Sequence, residues 1–440
     1  MLMSESAKLP AVVVHSVSEF EKYAAWILGL VVAVAVFFQV HVSFSVGLIN
    51  LNLADPFAIL ALAALSLHGF FARQSPAWRI RRFNFALALM SLLVLLGFVH
   101  GWWEIGITQW ALAGRLLGWL VLLGYLSAGY LIVANVGAHG QRRFTETLIA
   151  TAVAVVILQV VLRLLYHWGL NTGAQLTPQF EGYAGNRNAF AFQLLAVMAV
   201  LLGYSEVYAR HNVSMQRPAR PWIFSLLLGI LVSGLVWTGS RTGIIVEMIV
   251  LLLAWFGRLA DRRMLGWGMI LAALIWSGVW LATFEELIQD ILAKNIFLPS
   301  VLHGWIQSNV SRDVSNDEHW QTMVRGLELW LQSPVLGVGL GVFHARSPMW
   351  LGHSQVIHNT PLWILAEFGL VGAAVFSWTF FLLAHHAIQL GKALPSRRIL
   401  LLLLMAFAIF SLVHEILYQR IFWLVLGAVL AQPFATRKRV

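Results

Sequence analysis

The chain has 440 residues, of which 60% are hydrophobic types and only 11% are Asp, Glu, Lys or Arg. Soluble domains carry about 25% charged residues, so this composition excludes a cytosolic enzyme, a disordered chain, a coiled coil and a disulfide-stapled secreted domain. The net charge is +10 and there is no Cys. In a membrane protein such a charge indicates orientation in the bilayer and not nucleic-acid binding, and without Cys no thiolate metal site exists.

Twelve apolar runs are long enough to predict transmembrane helices of roughly 20 residues each. They lie near 24–43, 51–71, 83–101, 112–136, 145–167, 188–209, 222–238, 243–257, 265–282, 360–385, 399–416 and 420–434. Short basic segments such as HGQRR, GRLADRR and GKALPSRR separate them. The sequence therefore predicts an all-α polytopic membrane protein with about 12 transmembrane helices.

Twenty of the 29 Lys and Arg residues fall on one side of this arrangement. The positive-inside rule makes that side the cytoplasm and places both termini there. We accordingly predict helices 1–9 in residues 1–282, a large periplasmic loop in 283–358, and helices 10–12 with a basic cytoplasmic tail in 359–440. Within the loop, HWQTMVRGLELWLQ (319–332) has the apolar spacing of an amphipathic helix that packs on the membrane surface.

Nine basic residues lie off the cytoplasmic side, and most sit at predicted periplasmic helix ends. They are Arg115, Arg163, Arg187, Arg241, Lys294, Arg312, Arg325, Arg346 and Arg420. An Arg at the bilayer centre costs roughly 2.5–3.5 kcal/mol. Each could snorkel to headgroups or pair with an acid such as Glu104, Glu181 or Glu415. As a set they favour a shared anionic ligand at the outer leaflet, because each guanidinium group can bind two phosphate oxygens through a pair of hydrogen bonds.

Three glycine-containing stretches stand out. GYAGNRNAF (182–190) predicts a tight turn into a helix, where Asn186 and Arg187 form either an anion site or an ordinary capped turn. TGSRTG (238–243) is a short interhelical turn that presents Arg241. LGVGLGVF (336–343) contains G-x-G-x-G, which lacks the spacing of the dinucleotide fingerprint and indicates a flexible or close-packed loop.

HNTPLWILAEFGLVG (358–372) marks the point where the large loop re-enters the membrane. Asn359 can cap the following helix, and Pro361 suits its first turn. His358 is equally suited to acid–base chemistry near neutral pH and to a structural hydrogen bond. The spacing of His344, His353 and His358 matches no standard zinc pattern, so no metal site is predicted.

These residues resemble the O-antigen ligase and polymerase superfamily of bacterial inner-membrane proteins. The most specific similarity is the pattern His-Asn-x9-Gly-x-x-Gly, formed by His358, Asn359, Gly369 and Gly372. The resemblance implies a fold like that of helical membrane glycosyltransferases. It also implies that a glycan moves from undecaprenyl diphosphate to a sugar hydroxyl of lipid A–core at the periplasmic face. The resemblance implies a reaction that needs neither a metal nor a soluble cofactor and that inverts the anomeric configuration.

The resemblance also assigns roles to residues. His358, Arg241 and Arg325 correspond to the family's catalytic histidine and arginines. Further substrate contacts are expected from Arg163, Arg187, Arg346, Arg420, Asn186 and Asn359. The implied partners are the lipid-linked glycan donor, lipid A–core and membrane lipids, with no nucleic acid.

Three other functions remain open. An O-antigen polymerase commonly has two substantial periplasmic loops, whereas the loop near 168–187 is short. A protein O-glycosyltransferase of the same superfamily is also compatible with GNRNAF. A transporter or flippase would suit twelve spans, but the polar residues concentrate on one face and the two halves show no repeat.

Overall fold

The computed structural model describes residues 19–44, 47–71, 81–167, 180–211, 221–277, 318–392 and 394–431. The amino-terminal tail, residues 283–317 of the predicted loop with Lys294 and Arg312, and the basic carboxyl-terminal tail lie outside the described residues.

The described residues are mainly helical. In chain order the elements are α1 (Glu19–Ala35), β1 (Gln39–Phe44), β2 (Gly47–Asn52), α2 (Asp55–Phe71), α3 (Arg81–Ile105), a π-helical turn (Trp110–Leu117), α4 (Gly118–His167), α5 (Arg187–His211), α6 (Pro221–Trp237), α7 (Arg241–Phe256), α8 (262–277), α9 (318–332), α10 (Val342–Arg346), α11 (Pro348–Leu351), α12 (Thr360–Gln389), α13 (Pro395–Ser411) and α14 (Arg420–Leu430).

Every predicted apolar run overlaps a helix. Within the described residues, five helical segments are long and apolar enough to cross a membrane: Arg82–Ile105, Trp110–Gly137, His139–Leu165, Arg187–Ser205 and Thr360–Gln389. Shorter apolar helices accompany them, among them Trp222–Trp237 and Arg420–Leu430. The prediction of an all-α polytopic membrane protein is therefore confirmed.

The boundaries of the first two predicted spans are wrong. Helix α1 ends at Ala35, and residues 39–52 form an antiparallel hairpin that pairs Gln39 with Asn52. The alternating Val-containing sequence QVHVSF favours a strand over a helix. The hairpin is fixed to the loop before α5, because the Gln39 N–H donates to the carbonyl oxygen of Tyr183 at 2.9 Å.

The fourth and fifth predicted spans are joined without a loop. The basic segment HGQRR, predicted to be a cytoplasmic connection, is helical within α4. The break between the two spans is the single residue Gly137, whose φ of 64° and ψ of −141° are not helical. This conformation suits glycine, which has no Cβ to clash.

The core lies around α5 and α14. Every residue from 190 to 205 of α5 is buried, as are all residues from 421 to 430 of α14. Glycines allow α14 to pack closely on α4: a Cβ at Gly129 would collide with the carbonyl oxygen of Leu424, and one at Gly427 with that of Leu126. Small residues at a helix crossing are the usual means of close packing in membranes.

The amphipathic helix predicted at 319–332 is present as α9. Its buried face carries Thr322, Gly326 and Leu329, which recur at helical spacing. A Cβ at Gly326 would meet the side chain of Ile357 at 2.9 Å. Helix α9 therefore packs directly against the segment that leads into α12.

Helix α12 is broken at Gly369, the first glycine of the family pattern. Its φ is 64° and its ψ is −162°, which releases backbone groups from the helical ladder. The G-x-G-x-G segment and the residues just before it satisfy them, because Val338 N–H donates to the Ala366 carbonyl at 2.9 Å and Leu370 N–H donates to the Pro334 carbonyl at 2.9 Å. Of the two readings of this segment, the close-packed one is correct. A backbone break inside an apolar helix is tolerated where neighbouring protein groups complete its hydrogen bonds.

Candidate active site

Three helices begin at one end of the bundle and meet there. The Ser240 hydroxyl before α7 donates to Asn188 Oδ1 in the first turn of α5 at 2.7 Å. Thr242 Oγ1 in α7 lies 3.2 Å from His414 Nε2. The Thr360 hydroxyl at the start of α12 donates to the His414 carbonyl oxygen at 2.9 Å. Helix amino termini carry partial positive charge, so their convergence creates an anion-attracting surface.

Short polar side chains cap these helices. Asn186 Oδ1 accepts from the Asn188 N–H at 2.8 Å. Asn359 Oδ1 accepts from the Leu362 N–H at 2.8 Å, and its amide donates to the Leu412 carbonyl oxygen at 2.7 Å. The predicted capping role of Asn359 is confirmed. Both asparagines predicted to contact substrate therefore use their side-chain oxygens within the protein.

His358 lies in a cluster of three histidines that sequence reasoning did not assemble. Its ring stacks on that of His319 with centroids 3.9 Å apart, and the His414 ring stands edge-on at 6.5 Å. His319 comes from the start of α9 and His414 from the turn between α13 and α14. No local sequence signal connects them, because only the packing of α9 and α13 against α12 brings them to His358.

The environment keeps this cluster neutral. Burial, together with the neighbouring His319, lowers the pKa of His358 to about 4. Burial, together with the two other histidines and Arg187, lowers the pKa of His414 to about 3. Burial also lowers the pKa of His319. At neutral pH each imidazole therefore has an unprotonated nitrogen that can accept a proton or a hydrogen bond.

Two of the predicted arginines begin helices at this end of the bundle. Arg187 is the first residue of α5 and is close enough to depress the pKa of His319 and His414. Arg241 is the first residue of α7 and its side chain is exposed. In the part of the chain that the structure describes, neither forms an ion pair with an acid. These two guanidinium groups lie at the converging helix amino termini and are open to an anionic ligand.

Two other arginines are committed to buried ion pairs. Arg420 donates from Nε to Asp55 Oδ1 at 2.7 Å and from Nη2 to Asp55 Oδ2 at 2.9 Å. Arg115 donates to Glu415 at 2.9 Å and has only 3% of its side chain exposed. The alternative prediction, that arginines at these helix ends pair with acids such as Glu415, is confirmed for Arg115 and Glu415. Both arginines thus have a structural role.

The remaining predicted arginines contact other groups. Arg325 forms an exposed ion pair with Glu328 at 2.7 Å on α9, the helix that carries His319. Arg346 pairs with Glu104 at 3.6 Å, as the pairing alternative predicted. Arg163 lies over the ring of a phenylalanine, 5.5 Å from its centroid. Among the described residues, Arg325 and Arg346 have acidic partners outside the histidine cluster.

The three histidines considered from the sequence are not the three that lie together in the structure. His344 stacks on Trp110 with centroids 4.4 Å apart, and the His353 ring binds the Leu351 carbonyl oxygen at 3.0 Å. Neither belongs to the group formed by His358, so the set His344, His353 and His358 is not assembled.

Comparison with known proteins finds a matching family model. Residues 224–377 match the family model described as O-antigen ligase. The matched segment contains Arg241, Arg325, Arg346 and His358 together with the Gly369 break, whereas Arg187 and Arg420 lie outside it. No curated protein matches the chain.

The match supports a glycosyltransferase-like function within the O-antigen ligase and polymerase superfamily, in O-antigen and lipopolysaccharide biosynthesis, for a multi-pass membrane protein. The similarity of this chain to the O-antigen ligase superfamily is thereby confirmed, with residues 224–377 as its family segment.

Proposed function

We propose that the protein is an O-antigen ligase. It transfers a glycan from undecaprenyl diphosphate to a sugar hydroxyl of lipid A–core at the periplasmic face of the bacterial inner membrane. The observation that carries this proposal is the meeting of three helix amino termini and a neutral histidine at one end of the bundle, with two arginines that have no acidic partner among the described residues. The acceptor oxygen bonds to the anomeric carbon, the bond from that carbon to the diphosphate breaks, and the configuration inverts.

The helix amino termini and arginines supply the leaving-group site. A departing lipid diphosphate gains negative charge, and preorganised cationic donors stabilise that charge without help from a soluble cofactor. Arg241 and Arg187 are placed for this, since both lie in the first turn of a helix and are not neutralised by an acid among the described residues. Arg325 is added as a third diphosphate contact because of the family resemblance. Its exposed ion pair with Glu328 would open when the diphosphate binds.

His358 takes the proton from the acceptor hydroxyl. The free site holds its imidazole neutral, which is the form that accepts a proton. A bound diphosphate adds negative charge nearby and so raises the pKa of His358 toward the range of an effective general base. The stacked His319 ring and the capping contacts of Asn359 fix the position of the imidazole.

An apolar groove supports a lipid-linked donor. The groove has a volume of about 160 Å³ between α4, α6 and α8, and its lining includes Val156, Val160, Ile230 and Trp237. Trp237 ends α6 and is separated from Arg241 by a three-residue turn. An apolar segment of the donor lying in this groove would contact the helix whose end leads into the turn that carries Arg241.

His358→Ala tests the proposed base. The variant should fold and lose glycan transfer by about two to four orders of magnitude, the usual contribution of general acid–base catalysis. His385→Ala, at an exposed histidine of α12, is the matched control. Transfer at the wild-type rate by folded His358→Ala would remove His358 from the mechanism.

Arg241→Gln tests the diphosphate site. The variant should bind lipid diphosphate more weakly, with an unchanged unfolding temperature because the Arg241 side chain is exposed. Arg262→Gln, at an exposed arginine at the start of α8, is the control. Equal donor affinity in wild type and Arg241→Gln would contradict the proposed role.

The product identifies the acceptor. Purified protein is incubated with lipid-linked glycan and lipid A–core, with and without chelator. We expect glycan joined to lipid A–core in both conditions. Elongated lipid-linked glycan would instead establish a polymerase, glycosylated protein would establish a protein O-glycosyltransferase, and movement of donor across vesicles without chemistry would establish a transporter. Loss of transfer in chelator that a divalent ion restores would refute the metal-free mechanism.

A further inference from the structure

The histidine cluster has the composition of a metal site. His319, His358 and His414 each offer one ring nitrogen, and these three nitrogens all lie within 4.8 Å of one another. A tetrahedral zinc ion with Zn–N distances of about 2.0–2.1 Å places its nitrogen ligands about 3.4 Å apart. Binding one ion therefore needs side-chain movements of on the order of 1 Å. It also needs rotation of the stacked His319 and His358 rings, because imidazole lone pairs lie in the ring plane and these two rings are only 18° from parallel.

The backbone holds two of these ligands in a fixed relation. Asn359, next to His358, donates to the Leu412 carbonyl oxygen at 2.7 Å. Thr360 donates to the carbonyl oxygen of His414 at 2.9 Å and accepts from the N–H of Ile416 at 3.1 Å. The two histidine-bearing segments are thus tied by three hydrogen bonds, which lowers the cost of organising a metal site.

The third ligand comes on a packed helix. His319 lies in the first turn of α9, and Gly326 of the same helix packs against Ile357, the residue before His358. The stacking distance of 3.9 Å between the His319 and His358 rings shows that no other side chain separates them. Thr242 Oγ1 contacts His414 Nε2 at 3.2 Å and can orient that ring as an outer-sphere partner.

We infer that His319, His358 and His414 form a binding site for one divalent transition-metal ion such as Zn²⁺, and that an ion bound there inhibits the enzyme. Three imidazoles suit zinc and copper better than magnesium or calcium, which prefer oxygen ligands. The inhibitory part rests on the proposed function, because an ion bound to the His358 nitrogen occupies the lone pair that would take the proton from the sugar hydroxyl of lipid A–core. The binding part does not depend on that function.

The surrounding charge makes a specific secondary prediction. Arg187 is close enough to act on His319 and His414, and its positive charge opposes a cation at the cluster. Glu318, beside His319, acts in the opposite sense. Replacing Arg187 with Gln should therefore tighten metal binding, an effect that a misfolded protein cannot produce.

Metal titration of the full untagged chain in detergent tests the binding part. Co²⁺ serves as the spectroscopic probe, and Zn²⁺ displaces it. We expect one ion per chain, weakening by at least about tenfold in His319→Gln and in His414→Gln, and tighter binding in Arg187→Gln. His385→Gln, at an exposed histidine, is the control. Absent binding, or binding unaffected by both cluster substitutions, would refute the site.

Transfer assays separate the inhibitory part from the proposed function. An active wild-type protein should be inhibited by Zn²⁺ and restored by chelator, and residual transfer by His414→Gln should be less sensitive to Zn²⁺. Stoichiometric Zn²⁺ binding to an active enzyme without inhibition would refute the inhibitory role. Stoichiometric binding by a protein that transfers no glycan would refute the proposed function while supporting the metal site.

Discussion

Arg420 tests whether an arginine at the predicted periplasmic end of a helix binds substrate or holds the fold together. Its guanidinium forms two hydrogen bonds with Asp55, at 2.7 and 2.9 Å. The same carboxylate accepts from the Tyr125 hydroxyl at 2.9 Å and from the Asn52 N–H at 2.9 Å. The pair therefore ties the start of α14 to the start of α2 and to α4. In Arg420→Gln the Asp55 carboxylate loses its only strong cationic partner among the described residues.

The size of the effect follows from burial. Only 10% of the Asp55 side chain and 24% of the Arg420 side chain are exposed. Removing one partner of a buried pair costs roughly 3–5 kcal/mol, mostly because the other charge stays buried. We expect about 3 kcal/mol for Arg420→Gln, at the lower end because Arg420 is partly accessible. Adding Asp55→Asn removes the stranded charge and should restore about 2 kcal/mol, since contacting residues couple by up to about 3 kcal/mol.

A double-mutant cycle measures this coupling. Unfolding is followed in detergent for wild type, both single variants and the double variant, and donor diphosphate binding is measured on the folded fraction. Reduced stability with wild-type donor affinity is the expected result for Arg420→Gln. Wild-type stability combined with lost donor binding would refute the structural role and return Arg420 to the substrate site.

Two further predictions concern the loop and the helix break. Gly369→Ala should prevent stable folding, because a Cβ would collide with backbone atoms of the segment that completes the break in α12. The control is Gly352→Ala, which is also at positive φ but has no neighbour within 4 Å and should lose only about 1 kcal/mol of stability. Equal expression and unfolding of the two variants would contradict the close-packed break. Burial, with nearby Arg115, lowers the pKa of His344 to about 4. Between about pH 6.5 and 4 the unfolded chain therefore binds a proton that the folded chain does not. The free energy of unfolding is highest above this range and falls as the pH drops through it. His344→Phe should reduce the fall in stability between about pH 7 and 5 by on the order of 1 kcal/mol after allowance for solvent screening, with exposed His385→Phe as the control, and an identical pH response in wild type and His344→Phe would contradict this account.

The helical architecture was predictable from local composition. A run of about 20 apolar residues satisfies both the bilayer and its own backbone only as a helix, so hydropathy alone located helices that overlap every predicted apolar run. The amphipathic α9 and the Asn359 cap were equally local, since each depends on residues within a few positions in the sequence. The hairpin at 39–52 was missed because an apolar alternating segment next to a span is continuous with it in hydropathy.

The site was only partly predictable, for a physical reason. His358 and Arg241 were found because local motifs surround them, and the pattern glycine Gly369 proved to be the break in α12. His319 and His414 carry no such signal, because their meaning comes from packing between segments distant in the chain.

The charge balance shows the same division. The sequence by itself determined a membrane protein, because the apolar fraction depends on composition and order alone. It also predicted that the basic residues lie mainly on one side, through the positive-inside rule. Which arginines remain open to a ligand was decided only by the tertiary structure. Asp55 neutralises Arg420 and Glu415 neutralises Arg115 across contacts that no local pattern encodes, whereas Arg241 is exposed at the start of α7.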